Sequence, residues 1–236
     1  MPEVLEELRR RIAERGDPAR ALQMQAYMKS TMPFRGVTAV LLRRLCRDVF
    51  DAHRLPDEAT WRSAVLELWD NAEFREDRYA ALALTEHRFY RDFQGESTLD
   101  LYQHLVTTGA WWDFVDAIAS NRVGPILRAR FEAVEPRIRS WAGDDDMWVR
   151  RTAILCQLHS KGATDNDLLR FVIEQNLEGS RFGKEFFVRK AIGWALREYA
   201  KTDEAWVVDF VEEVSTASTG GELSGLSRRE ALKNVR

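Results

Sequence analysis

The chain has 236 residues, 45% hydrophobic and 31% charged, with a formal net charge of -3. It is long enough to bury one substantial core or to form one continuous repeat array, and its charge excludes a uniformly basic nucleic-acid binder. It carries no apolar run that could span a bilayer and no charged–apolar–small signal pattern, so the sequence predicts a soluble, cytoplasmic protein.

The average charge hides a pattern. Residues 1–50 carry 10 Lys/Arg against 6 Asp/Glu, residues 51–100 carry 6 against 12, and residues 151–200 carry 8 against 6. Solvated helix faces would produce this, and so would a concave basic groove with an acidic exterior.

In chain order, Val4, Leu5, Leu8 and Ile12 recur at helical spacing beside Arg9, Arg10 and Arg11. Gly16-Asp17-Pro18 stops that helix and starts another over 19–30. Met32 to Val37 reads as a loop whose glycine is free to adopt positive φ. A helix over about 38–52 points Leu41, Leu42, Leu45 and Val49 inward, and Leu55-Pro56-Asp57 restarts the chain before the amphipathic stretch Trp61–Trp69. Helices are predicted over 74–92, 99–106, 147–159 and 186–200, with Asp144-Asp145-Asp146 capping the third of these. Ser215–Gly225 is the one flexible-looking connection, and no period-2 segment claims a strand. Cys46 and Cys156 each lie in an apolar helical pattern and read as reduced core residues of an intracellular protein.

An internal repeat decides the fold class. Arg78-Tyr79-Ala80-Ala81-Leu82 matches Arg150-Arg151-Thr152-Ala153-Ile154 after 72 residues, and half that step places Trp112 over Trp148. A step of 39 carries Val149-Arg150-Arg151 onto Val188-Arg189-Lys190, and another carries Arg189-Lys190 onto Arg228-Arg229. Periods near 40, each holding a helix pair, belong to HEAT-like arrays. The expected fold is therefore an all-α HEAT-like superhelix forming a single domain over 1–236, with a helical N-terminal part to about 55 and repeats from about 56. Asp116, Arg151, Lys190, Trp194 and Arg229 fall on the helices that recur in phase.

The stretch Trp111-Trp112-Asp113-Phe114-Val115-Asp116-Ala117-Ile118 stands out. On one helix, Trp111, Phe114, Val115 and Ile118 share the core face, while Trp112 and Asp116 meet at i,i+4 on the flank. An indole beside a carboxylate, both directed off the core, is more than packing requires. Arg151 falls within an apolar stripe with Met147, Ile154, Leu155 and Leu158, so it needs a partner. Spacing leaves two readings open: a salt bridge to a neighbouring repeat, with Asp116 as one candidate partner, or a phosphate clamp that also positions Asp116. Lys190, Trp194 and Arg197 form one stripe, which suits nucleic acid or a core indole with two cations snorkelling over it. His53, His87, His104 and His159 are scattered without ligand spacing and read as surface or helix-end residues, so no metal is expected. Gly-x-Ser-x-Gly, P-loop, Gly-x-Gly-x-x-Gly and Cys-x-x-Cys motifs are missing from the sequence.

Three segments carry a resemblance: Trp111-Trp112-Asp113-Phe114-Val115-Asp116, Trp148-Val149-Arg150-Arg151-Thr152-Ala153-Ile154-Leu155, and the run from Phe186 to Tyr199. With them the chain resembles, from Tyr27-Met28-Lys29 to Arg228-Arg229-Glu230-Ala231, the bacterial AlkD family of HEAT-like DNA glycosylases. The resemblance implies a monofunctional enzyme that excises cationic N3- and N7-alkylpurines from double-stranded DNA, as a monomer and without cofactor or membrane. It implies Asp116 as the catalytic carboxylate, Trp112 and Trp194 as indoles flanking the lesion nucleotide, and Arg151 beside them. Tyr27 and Arg197 would be supporting contacts, with Lys190, Arg228 and Arg229 on the DNA side. Thr38 and Val40 depart from the family pattern, where a larger polar residue and a proline are common. The competing expectation is a non-catalytic HEAT-like module that binds DNA structures or a protein.

Overall fold

The computed structural model describes residues 2–216 and 221–235. Its regular structure is all α, apart from two isolated bridges at Glu178. The helices divide between two compact units, residues 1–94 and 95–236.

The first unit holds α1 (Pro2–Ala13), α2 (Pro18–Met28), α3 (Ala39–Ala52), α4 (Glu58–Asp70) and α5 (Arg75–Glu86), followed by a 3-10 turn over Arg88–Phe93. The start signals read from sequence act as side-chain caps. Asp17 accepts from the Arg20 amide at 3.0 Å with Pro18 as first helical residue, and Asp57 accepts from Thr60 at 2.7 Å. Thr38 caps α3, while Val40 lies exposed on its first turn. Leu8, Ile12, Val49, Trp61, Leu68 and Trp69 fill the core, and Arg9 fastens α1 to Glu67 on α4.

The expected helix over 74–92 is divided instead at His87, whose backbone turns extended. The reason lies in its ring: it is buried, bonds Asp51 at 3.1 Å, and packs among Phe50, Phe89 and Tyr90. His87 is thus a helix-end residue, as expected, but not a surface one.

The loop 32–37 is tied down from α5. The Glu76 carboxylate is fully buried and accepts the amides of Arg35, Gly36 and Val37 at 2.9, 2.9 and 3.1 Å. Gly36 adopts φ of +83°, and a Cβ there would lie 2.1 Å from the Asp17 carbonyl oxygen. Only glycine fits this approach.

The second unit holds α6 (Leu99–Gly109), α7 (Trp112–Ile118), α8 (Gly124–Ala129), α9 (Phe131–Ala142), α10 (Met147–Leu155), α11 (Asn166–Glu174), α12 (Phe186–Tyr199), α13 (Glu204–Thr216) and α14 (Gly225–Ala231). A π-turn, Ala119–Val123, joins α7 to α8. The helices that the internal repeat aligns are neighbours: α7 packs on α10, and α10 on α12. Phe114, Val115, Ile118, Val149, Ile154, Leu155, Val188 and Leu196 make the shared core.

Helix α10 stops at Leu155 rather than 159. The Gln157 side chain pairs with the backbone of Asp165 in both directions, at 2.8 and 3.0 Å, and draws the chain into a turn. Both cysteines are buried and unpaired, and burial pushes each thiol up to about 12, so neither forms thiolate readily. Within the 215–225 connection, residues 217–220 lie outside the described residues. Beyond them, the Glu222 carbonyl accepts from Glu178 at 3.0 Å. No described helix is long and apolar enough to cross a membrane.

Candidate functional site

Helix α7 begins at Trp112, with Trp111 one step outside it in extended conformation at φ -151°. Trp111 therefore leaves the helical face on which spacing had placed it. It turns toward α10 and α12, packing on Trp148 at 6.2 Å and Phe187 at 5.6 Å between ring centroids, while those two rings lie 5.0 Å apart. This aromatic wedge ties together the first turns of α7, α10 and α12. Trp112, which follows it, stays half-buried.

One turn further along α7 stands Asp116. Asp146 caps α10 by accepting the amides of Trp148 and Val149 at 2.7 and 3.1 Å, which fixes where Arg151 leaves the helix. Arg151 meets Asp116 as a fork: Nε donates to Oδ1 at 2.7 Å and Nη2 to Oδ2 at 2.9 Å. Its Nη1 donates to the Phe187 carbonyl on the first turn of α12. Of the two roles left open for Arg151, the structure supplies the salt bridge across the repeat. One guanidinium thereby couples three helices.

The pair is asymmetric in exposure. The Arg151 side chain is 5% exposed and that of Asp116 15%, so the acid keeps an open edge and the arginine does not. Burial raises the Asp116 carboxyl above its usual range, against the pull of Arg151's hydrogen bonds and charge, and the like charge of Asp113 adds to the rise. The π-turn follows directly, and Ser120 Oγ donates to the Asp116 carbonyl at 2.7 Å. Such widened turns are frequent at functional sites.

Arg150, adjacent to Arg151, is structural. It donates to the carbonyls of Gly143 at 3.0 Å and Asp144 at 2.5 Å and reaches the end of α11 at Gln175 and Asn176, satisfying helix-end oxygens.

The stripe Lys190–Trp194–Arg197 lies along α12, each residue half-buried. The two cations are not left to solvent. Glu230 on α14 takes Lys190 on one carboxylate oxygen at 3.0 Å and Arg197 on the other. The hydrogen bond from Lys190, then that from Arg197, holds the Glu230 carboxyl below its usual range against the effect of burial. Arg228 and Arg229, on the same short helix, are exposed. Tyr27 belongs to the other unit, in the last turn of α2, and is 78% exposed.

The structure thus brings Asp116, Arg151 and Phe187 together, and separately Lys190 and Arg197. The residues that sequence reasoning missed are Glu230 and the backbone carbonyl of Phe187. Neither leaves a local signal, since Glu230 lies 40 and 33 positions from its partners. Among the described residues, no group of three or more His, Cys, Asp or Glu is placed to hold a metal ion.

The comparisons with known proteins agree with one another where they find a match. A solved structure from Enterococcus faecalis, titled "Predicted DNA alkylation repair enzyme", is similar at 30% identity and a TM-score of 0.76, over 94% of this chain and 97% of that one. No curated protein matches the chain significantly. The family model described as DNA alkylation repair enzyme matches residues 8–235. The chain belongs to the DNA alkylation repair enzyme family.

Proposed function

We propose that this repair enzyme is a monofunctional DNA glycosylase hydrolysing the N-glycosidic bond of cationic N3- and N7-alkylated purines in duplex DNA, with Asp116 as its catalytic carboxylate. The observation that carries the reading is the state of Asp116: a carboxylate fixed in place by a buried guanidinium, with one edge left open.

The chemistry needs little more. A purine alkylated at N3 or N7 is positively charged, so its bond to the sugar is already weakened and the base departs neutral. No strong general acid is required. The remaining demand is to stabilise positive charge as it develops on the sugar and to orient a water for attack at the anomeric carbon. A carboxylate held by an arginine on one side retains lone pairs for both tasks on the other. Two-carboxylate glycosidases use their second carboxyl group to protonate the leaving group, a duty that the cationic purine removes. Trp112, four residues before Asp116, and Trp194 on α12 are half-buried indoles whose faces suit a cationic nucleotide, at about 0.5–2 kcal/mol each. The reaction as written uses no cofactor or metal, and the enzyme acts as a monomer.

Asp116→Asn tests the reading. It keeps the shape and one acceptor for Arg151 while removing the charge. Release of 7-methylguanine from methylated duplex should fall at least tenfold, with duplex binding largely retained. Unchanged release would remove Asp116 from the chemistry, and tight binding by a wild type that releases no base would make the protein a DNA-binding module instead.

A further inference from the structure

The half-buried stripe on α12 carries a feature that base excision does not explain. Lys190, Trp194 and Arg197 are spaced i, i+4 and i+7 on one face, and α14 crosses that face at Gly193. The crossing is close: a Cβ on Gly193 would lie 2.5 Å from the Glu230 Cβ and 2.9 Å from the Ser227 carbonyl oxygen. The Ser227 hydroxyl also donates to the Arg189 carbonyl at 3.0 Å, so α14 is seated by contacts that do not depend on the Glu230 carboxylate. The Glu230 carboxylate is consequently delivered between the two cations, spending one oxygen on each. The ion group remains open to solvent, with Lys190, Arg197 and Glu230 side chains 37%, 23% and 19% exposed.

The two oxygens of a carboxylate and the two non-bridging oxygens of a phosphodiester make the same demand on such a pair of donors: one negative charge, shared between two acceptors. From this juxtaposition we propose that Glu230 is a displaceable internal counter-ion, standing on Lys190 and Arg197 where a backbone phosphate of DNA stands in the complex. The inference rests on duplex DNA being the substrate and goes beyond it. Glu230 weakens binding to any passing duplex, because a phosphate must exchange for it rather than meet two unopposed cations. Only a strand held in register by the rest of the site recovers that loss. Glu230 therefore acts on specificity, through affinity for undamaged DNA.

Binding to an undamaged duplex across a salt series tests this, since each additional phosphate contact steepens the dependence of log affinity on log salt by about 0.9. Glu230→Gln should bind undamaged duplex on the order of tenfold more tightly at low salt, with a slope steeper by about one. Adding Arg197→Gln to it should return the slope toward that of the wild type. An affinity and slope unchanged or reduced in folded Glu230→Gln would overturn the proposal and make Glu230 a permanent strap. Should the single variant prove unstable, Lys190→Gln/Glu230→Gln, which retains one unopposed arginine, must bind at least as tightly as the wild type; weaker binding overturns the proposal as well. The readout does not involve base release, so a failed Asp116 assignment leaves this test standing. A wild type without salt-dependent duplex binding removes both.

Discussion

Glu76 and Asp116 are both carboxylates withdrawn from water, and their surroundings are opposite. Glu76, in the first unit, is fully buried and its oxygens are taken by three backbone amides of one loop. Asp116, in the second, leans on a single buried arginine and retains an exposed edge. An acid closed off by amides on its own chain fixes that chain's path and has nothing left to offer a ligand. An acid held from behind by a guanidinium is oriented without being used up. Burial alone does not decide whether a carboxylate is left free to meet a ligand; the identity of its donors and the side left open do.

Exchanging each acid for its amide sharpens the contrast, and it should give the largest effects. Glu76→Gln puts an NH2 where one of three amide donors points, costing a charge-assisted hydrogen bond or two, about 2–4 kcal/mol. For a chain of this size that lowers the melting temperature by roughly 5–15 °C. Measured well below melting, its base release per folded molecule should stay within a few-fold of the wild type. Asp116→Asn should show the reverse, with the tenfold or greater loss of release already named and a smaller change in melting. Equal losses of activity in both variants would dissolve the distinction.

The sequence made Asp116 legible and left Glu76 hidden, for physical reasons. Asp116 lies in a run where Trp112 is four residues away and Phe114, Val115 and Ile118 mark the core side, so local spacing shows that it points elsewhere. The same spacing placed Arg151 in an apolar stripe and demanded a partner, which proved to be Asp116. The caps at Asp17, Asp57 and Asp146 were equally local. Glu76 sits beside Arg75 and Asp77 and looks like any charged residue of a first helical turn. Its amide partners are 39 to 41 positions away. The break at His87, the early stop of α10 at Gln157 and the extended Trp111 share this character, because each is decided by a side chain finding a distant or off-helix partner that periodicity cannot register. Glu230 is the furthest case, an acid whose meaning comes entirely from the helix that α14 crosses.

A subtler perturbation changes the fork behind Asp116 without touching the acid. Arg151→Lys preserves the charge, yet an ammonium cannot bond both carboxylate oxygens in plane and also reach the Phe187 carbonyl. The expected cost is about 1–3 kcal/mol of stability together with a several-fold fall in base release, as the carboxylate gains freedom to swing. Thermal melting and single-turnover release on one preparation check it. A fall in stability with release unchanged would show that the fork holds the helices together without aiming Asp116.

The smallest expected effect is a displacement along the pH axis, and it distinguishes Asp116 from Glu230 by sign. Asp116 is raised above its ordinary value, chiefly by burial. The folded protein therefore binds that proton more tightly than the unfolded chain does. Stability from this group falls as pH rises from the ordinary aspartate value through the raised one, and the penalty persists at neutrality. On the proposed mechanism activity runs the other way, because only the ionised form would stabilise a developing sugar cation. The acid limb of the rate profile should accordingly lie above the ordinary aspartate range. Asp113, one turn back on α7, contributes the last and smallest part of the rise. Asp113→Asn should move the limb to lower pH while leaving the plateau rate nearly unchanged, read from single-turnover release across a buffer series. Glu230 is depressed by Lys190 and Arg197, so its stabilising contribution is present above the ordinary glutamate value and is lost as pH falls through the lower, folded one. Glu230→Gln should then flatten the acid side of the melting profile without shifting the rate limb. A rate limb that follows Glu230 rather than Asp113 would move the titrating acid of the reaction from α7 to α14.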